Sequence, residues 1–302
     1  MKVVVAGGSG SLGRRLTADL TRRGHDVVVL TRRPDRDSQH RQVSWDGRTV
    51  GAWAAELDGA AVVNLSGALV DRRPTPANIE LLTTSRVEPT RALAAAAAEL
   101  ARPVPVWVQA STAAIYGDAG DAVLTESSPP ADGPPQMAGV ARAWEAAVDG
   151  VHAASVVVLR TSIVLDRDSP ALDRLLLLTR WGLGGRVGSG RQWVSWIHIE
   201  DWLAIVRATL TDPSLSGVLI ASSPSPVRNS QLMADLRAVV GRPPVPPTPT
   251  PVVRLGALLL RTDPALGLTG RRVLPARLQA AGFDFAHVEL HSALRDLIST
   301  RR

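Results

Sequence analysis

Apolar positions in the first half of the chain fall into short continuous runs, separated by longer stretches with a helical period. Lys2 to Ala6 carries valines and alanine with no polar alternation, which predicts a strand buried on both faces. Ser11 to Arg23 sets Leu12, Leu16 and Leu20 on one helical face, and Gly24-His25 closes that helix. Asp26 to Leu30 predicts a second strand and Ala60 to Leu65 another, after the Asp58-Gly59 turn. Val104 to Ala110 and Ser155 to Leu159 read as two more. Between them, Thr75 to Ala101 and Ala138 to Val148 predict helices, the first with an alanine run, Ala94 to Ala98, suited to close packing. Strands alternating with helices in this way predict an α/β protein with a doubly wound parallel sheet.

The second half is less regular. Trp181 to Gly190 is glycine-rich and leads into a tryptophan-dense segment through Trp202. Pro243 to Pro251 predicts an extended, semi-rigid connector, followed by helical patterns at Val252 to Leu260 and His287 to Ile298. No internal repeat is present.

The turn after the first strand reads Gly7-Gly8-Ser9-Gly10-Ser11-Leu12-Gly13 and runs straight into a helix. Glycines at this spacing allow a tight turn, let bare backbone approach a pyrophosphate, and bring helix and strand close together. The helix start, at Gly10, Ser11, Leu12 and Gly13, then presents N–H groups and a partial positive charge to the phosphates. This predicts a Rossmann fold with a dinucleotide on Gly7, Gly10, Ser11, Leu12 and Gly13. At the end of the second strand, an NAD site would place a carboxylate for the ribose 2′-hydroxyl. This chain has Thr31-Arg32-Arg33, and arginine grips a 2′-phosphate that a carboxylate would repel. NADP(H) is therefore the expected cofactor. Residues 1–166, completed by about 196–224, are expected to form the dinucleotide-binding domain. Residues 167–195 and 225–302 are expected to form a smaller C-terminal substrate lobe and tail domain.

Composition narrows the classes. Of 302 residues, 45% are hydrophobic, enough for a sizeable core. With no cysteine, disulfides, thiolate metal sites and cysteine nucleophiles are excluded, and no metal site is expected. The formal charge of +6 comes from scattered arginine pairs rather than a basic run, which predicts a solvated surface and no nucleic-acid partner. No apolar stretch is long enough to cross a membrane and no signal peptide is evident, so a soluble, cytoplasmic protein with a small-molecule substrate is expected.

Hydroxyls gather after the strand that begins near Val104, in Ser111-Thr112-Ala113-Ala114-Ile115-Tyr116-Gly117, where a parallel strand's carboxyl end meets the ligand crevice. Further along stand Asn64-Leu65-Ser66-Gly67, Ser85-Arg86, Trp144-Glu145, Arg160-Thr161-Ser162-Ile163-Val164-Leu165 and Trp196-Ile197-His198-Ile199-x-Asp201. With these motifs the chain resembles an extended short-chain dehydrogenase/reductase of the NAD-dependent epimerase/dehydratase group. Its tail, Gly270-Arg271-Arg272-Val273-Leu274-Pro275 with Ala281-Gly282-Phe283, resembles the C-terminal domain of unknown function of an epimerase-like subfamily. The resemblance covers essentially the whole chain. It implies that Leu65, Ser66, Gly67, Arg86 and Val164 border the cofactor, and that the substrate is a small carbonyl, alcohol or sugar-nucleotide-like compound.

The wider group uses a Tyr-x-x-x-Lys pair, in which lysine lowers the phenol's pKa for proton exchange. Here the sole lysine is Lys2 and the sole tyrosine is Tyr116, so that pair is absent. Ser111 and Tyr116 remain as candidate catalytic residues. Tyr116 reads equally as a ring packed under its loop, and Ser111 equally as a turn cap. Asp201 is expected to cap the following helix, and Glu126 to be a surface or capping residue. Trp181, Trp193 and Trp196 suggest either a lid over an apolar pocket or lobe core. After Asp71-Arg72-Arg73 the chain departs from its relatives' pattern at Pro74 and Asn78-Ile79. Two readings stay open: an atypical NADP(H)-dependent oxidoreductase or epimerase, and a catalytically weak NADP(H)-binding regulatory or redox-sensing protein.

Overall fold

The computed structural model describes residues 1–35, 37–167, 169–259 and 261–299. Strand β1 (Lys2–Ala6) leads into helix α1 (Ser11–Arg22), then β2 (Asp26–Thr31) and β3 (Arg41–Ser44). Next come β4 (Ala61–Asn64), α2 (Pro76–Ala98), β5 (Trp107–Thr112), the short β6 (Val123–Leu124), α3 (Val140–Ala146) and β7 (Val156–Thr161). They are followed by β8 (Ile163–Leu165), α4 (Pro170–Arg180), β9 (Trp193–Val194), β10 (Trp196–His198), α5 (Ile199–Thr211) and β11 (Gly217–Ala221). The remainder holds β12 (Val227–Arg228), α6 (Asn229–Val239), α7 (Thr250–Leu259), α8 (Ala265–Leu268), β13 (Arg272–Val273), α9 (Ala276–Ala280) and α10 (Leu290–Ser299). The end assigned to α7 from sequence, Leu260, lies outside the described residues.

Seven strands pair in the order β11-β7-β5-β4-β1-β2-β3, and every pair is parallel. From β1 the chain steps outward through β2 to β3, and from β4 it steps the other way to β5, β7 and β11. The loops at the carboxyl ends of β1 and β4 therefore diverge and open a crevice between them.

Alternate residues of β1 and β2 serve opposite faces of the sheet. Val3, Val5, Val27 and Val29 pack with Leu16 and Leu20 of α1 and Ile205 of α5. Val4, Ala6, Val28 and Leu30 pack with Trp53, Trp107, Leu93 and Ala97, the last two on α2. The first cluster also takes in Leu232 and Leu236 of α6 and Leu290, Leu294 and Leu297 of α10, so the tail shares its core with the sheet.

In the first half of the chain, β3 and the start of α3 depart from the sequence reading. β3 was not expected, because Arg-Gln-Val-Ser carries one apolar residue and lies at the sheet edge, where pairing with β2 rather than burial makes the strand. The helix expected from Ala138 begins instead as a wide π-helical turn over Pro135–Gly139 before α3 proper. Among the described residues no helix is long and apolar enough to cross a membrane.

Candidate functional site

The glycine turn is shaped by close contacts that leave no room for side chains. A Cβ on Gly7, whose φ is +78°, would lie 2.8 Å from the Leu65 carbonyl, and one on Gly8 would lie 2.7 Å from Val29. A Cβ on Gly13 would strike the Gly7 carbonyl oxygen and the Gly8 backbone. At Gly10 a Cβ would lie 3.3 Å from the Gly7 carbonyl oxygen, a tighter fit than most side chains meet, so this position too favours glycine. Gly10 supplies no capping side chain, and the first-turn N–H groups of Ser11, Leu12 and Gly13 are left for an anion. Arg14 stiffens the turn by donating to the Ser9 carbonyl at 2.6 Å.

One strand away, Thr31 is buried at the end of β2, and its hydroxyl accepts from the Arg33 N–H at 3.3 Å. That bond turns the chain and leaves Arg32 and Arg33 exposed, with neither guanidinium in an ion pair among the described residues.

The loop after β4 forms the other wall. Asn64 is fully buried; its Nδ2 donates to Thr90 and Gln109, and its Oδ1 accepts from the Ser66 N–H at 3.1 Å. Ser66 Oγ is buried and has no hydrogen-bond partner among the described residues. An orphaned hydroxyl beside a bare-backbone turn fits a polar ligand such as a dinucleotide. Leu65 and exposed Gly67 flank it, and Val164 lies in β8. Arg86 works from within. Its guanidinium donates to the carbonyls of Leu82 and Ala68 and lies 5.0 Å from the Trp144 ring, so it positions the loop, and burial lowers its pKa to about 10.

At the end of β5, four side chains close on one another. Ser111 Oγ donates to Glu145 Oε1 at 2.5 Å, and Arg160 grips both oxygens of Glu145 at 2.9 and 2.8 Å. Arg160 also donates to the Tyr116 hydroxyl at 2.8 Å, and that hydroxyl donates its single proton to the Thr125 carbonyl at 2.8 Å. Burial raises the Tyr116 pKa, against the opposing hydrogen bond and charge of Arg160. Burial on its own would lower the pKa of Arg160, but its bonds to Glu145 and Tyr116 outweigh burial and raise it. Tyr116 is 3% exposed and stays a neutral phenol at neutral pH.

Residues 3–143 match the model of the NAD dependent epimerase/dehydratase family, and residues 248–297 match a domain of unknown function, DUF1731. The epimerase family protein SDR39U1 of Bos taurus is 35% identical over 305 residues, spanning 99% of this chain and 100% of that protein. The chain belongs to the NAD-dependent epimerase/dehydratase family. The epimerase family protein Mb2239 of Mycobacterium bovis is also 35% identical, over 297 residues, covering 97% of this chain and 96% of its own. The crystal structure of human epimerase family protein SDR39U1 (isoform 2) with NADPH is 33% identical, with a TM-score of 0.87 over 99% of both chains.

Within this epimerase-family chain, the segment entering α5 differs from expectation. The cap of α5 is His198, whose Nδ1 accepts from the Glu200 N–H at 3.2 Å, because His198 has the extended backbone that precedes a helix. Asp201 lies inside the first turn, where its carboxylate accepts instead from the N–H groups of Ala286 and His287 at 2.8 and 3.0 Å and fastens the tail. His198 stacks on His287 with ring centroids 3.6 Å apart, and burial first, then His287, lowers its pKa. Glu126 caps from a distance, accepting the N–H groups of Arg277, at the start of α9, and Ile220. The three tryptophans separate: Trp196 is core, Trp193 has the guanidiniums of Arg228 and Arg272 at 4.0 and 4.6 Å from its ring centre, and Trp181 is 77% exposed.

The coupling of Glu145 to Arg160 was missed from the sequence, although both residues stood in noted motifs. An arginine directly after the apolar run Val156 to Leu159 was the available signal, since a charge continuing a buried strand needs a partner.

Proposed function

We propose that the protein binds NADP(H) across the carboxyl ends of β1, β2 and β4 and acts as an oxidoreductase or epimerase on a small carbonyl, alcohol or sugar-nucleotide-like substrate. The observation that carries this reading is the bare-backbone turn Gly7–Gly13 after β1, with two exposed arginines, Arg32 and Arg33, after the adjacent strand β2, neither in an ion pair among the described residues. The first-turn N–H groups of α1 hold the diphosphate, Arg32 and Arg33 hold the 2′-phosphate, and Ser66 Oγ donates to the dinucleotide. The human relative crystallised with NADPH supports the cofactor. When bound, the nicotinamide supplies hydride transfer. Ser111 commits its proton to Glu145 and keeps its lone pairs to accept a hydrogen bond from a substrate hydroxyl, which orients the reacting carbon. Arg160, itself braced against the Tyr116 hydroxyl, holds Glu145 in place for that contact.

One observation favours the second reading, a cofactor-binding protein with little turnover. The Tyr116 proton is spent on Thr125, and Lys2 is paired with Glu56 at 3.0 Å, so neither half of the group's usual proton-transfer pair is available.

Calorimetry with NADPH and NADH tests the cofactor: Arg32→Asp weakens NADPH at least tenfold more than NADH, and equal losses refute the phosphate assignment. NADPH oxidation across a carbonyl panel tests the chemistry. Turnover that falls more than tenfold in Ser111→Ala at unchanged NADPH affinity supports the enzyme. Tight NADPH binding with no turnover supports the second reading.

A further inference from the structure

The loop that leaves β4 beside the glycine turn runs on to a second feature, outside the cofactor crevice. A cavity of about 420 Å³ is lined by Arg72 and Arg73 of this loop, Arg174 of α4 and Arg261 after α7. Asp71 is the acidic residue in its lining; it is paired with Arg174 and accepts from Thr262. Four guanidiniums face one carboxylate, so the lining carries an excess of three positive charges. Arg72 Nε donates to the Leu69 carbonyl at 3.2 Å, and Arg73 donates to the Leu258 carbonyl, while Arg73 Nε is buried with no hydrogen-bond partner among the described residues. The Arg261 guanidinium has no ion-pair partner among the described residues. Like charges do not gather around a concave site without cost, and an oxyanion removes that cost by taking several guanidinium N–H groups at once.

The rim is apolar. Leu69, which lines the cavity, is 62% exposed. Leu177 and Leu178, one helical turn beyond Arg174 on the same face of α4, are 56% and 41% exposed, and Leu258 is 56% exposed. Exposed leucines grouped beside a cationic pocket mark a surface that an apolar ligand body covers.

We propose that this cavity is the substrate-recognition site and that it takes an oxyanion, a carboxylate or a phosphate, carried on an apolar body. The arginines grip the head group, Leu69 and the leucines of α4 and α7 cover the body, and the reacting end extends along the loop toward the end of β4. This deepens the proposed function and rests on it for the statement that the ligand is a substrate; occupancy of the pocket is independent of the cofactor.

The test is isothermal titration of the full chain, with and without saturating NADPH, using hexyl phosphate, hexanoate, 1-hexanol and inorganic phosphate. The expected result is that one of the two hexyl anions binds at least tenfold more tightly than 1-hexanol, and whichever it is identifies the head group. Arg261→Ala and Arg72→Ala each weaken that anion about tenfold, roughly the loss of one charge-assisted contact, with NADPH affinity within twofold of the parent. Leu69→Asn, which removes the apolar contact without adding charge, weakens the hexyl anion but leaves inorganic phosphate unchanged. Equal binding of 1-hexanol and both anions, or insensitivity to both arginine replacements, overturns the proposal. Inorganic phosphate binding as tightly as hexyl phosphate overturns the apolar half. Loss of NADPH binding with hexyl-anion binding intact would sink the cofactor reading and leave the pocket standing.

Discussion

The glycine turn after β1 and the polar cluster after β5 both look chemical in sequence, yet they are built in opposite ways. At the turn, hydrogen-bonding capacity is unspent: Gly10 gives α1 no capping side chain, Ser66 Oγ has no partner among the described residues, and Arg32 and Arg33 stand exposed. After β5 nearly every donor is committed within the protein, from Ser111 to Glu145, Arg160 to Glu145 and Tyr116, and Tyr116 to Thr125. Unsatisfied polar groups in a folded chain cost stability, so where they are grouped a ligand is the usual reason; satisfied ones hold the framework. The contrast sets a turn with donors to spare beside a cluster in which Arg160, braced by Tyr116, serves as a strut for Glu145.

The contrast is tested most severely at its structural extremes. Arg160→Ala strands the Glu145 carboxylate in a largely buried site, and unfolding free energy should fall by about 3–5 kcal/mol, read by urea denaturation with NADPH affinity measured on the folded fraction. A loss below 1 kcal/mol would mean that the cluster is not a strut. Gly13→Ala forces a Cβ into the Gly7 carbonyl, so NADPH affinity should drop about 100-fold, or about 3 kcal/mol, and calorimetry showing parent-like binding would refute the cradle geometry. Tyr116→Phe removes the bonds to Thr125 and Arg160 at a cost of about 1–2 kcal/mol in stability. Any turnover should change less than threefold, and a larger fall would return Tyr116 to a direct role in proton transfer. The smallest effect concerns pH. Folding holds the His198 pKa below its ordinary 6.5, so as pH falls through that value the unfolded chain takes up a proton that the folded one resists, and stability declines. Glu200, Asp201 and Asp296 face the ring and oppose this, which keeps the effect small. The drop in Tm between pH 7.5 and 5.5 should shrink in His198→Asn, which keeps a capping side chain; an unchanged drop would place the titration elsewhere.

What could be read from the chain alone was local. Val3 to Ala6, Val27 to Leu30 and Val62 to Val63 are apolar without alternation because both faces of their sheet are covered, and neighbouring residues suffice to show it. The Gly7–Gly13 spacing was legible for the same reason, since a turn, a close approach and a helix start are properties of consecutive residues. Contacts between distant residues were not legible. Nothing in the Arg-Gln-Val-Ser segment marks β3, whose strand character comes from pairing with β2 at the edge. Asp201 had the right residue type for a cap, but the backbone gave that place to His198 and turned the carboxylate to the tail. Whether Ser111 and Tyr116 are free to react, and whether Arg72, Arg174 and Arg261 meet around one cavity, depends on which groups far along the chain arrive beside them. Residue type states what a side chain is able to bond, and folding assigns the partner that uses it.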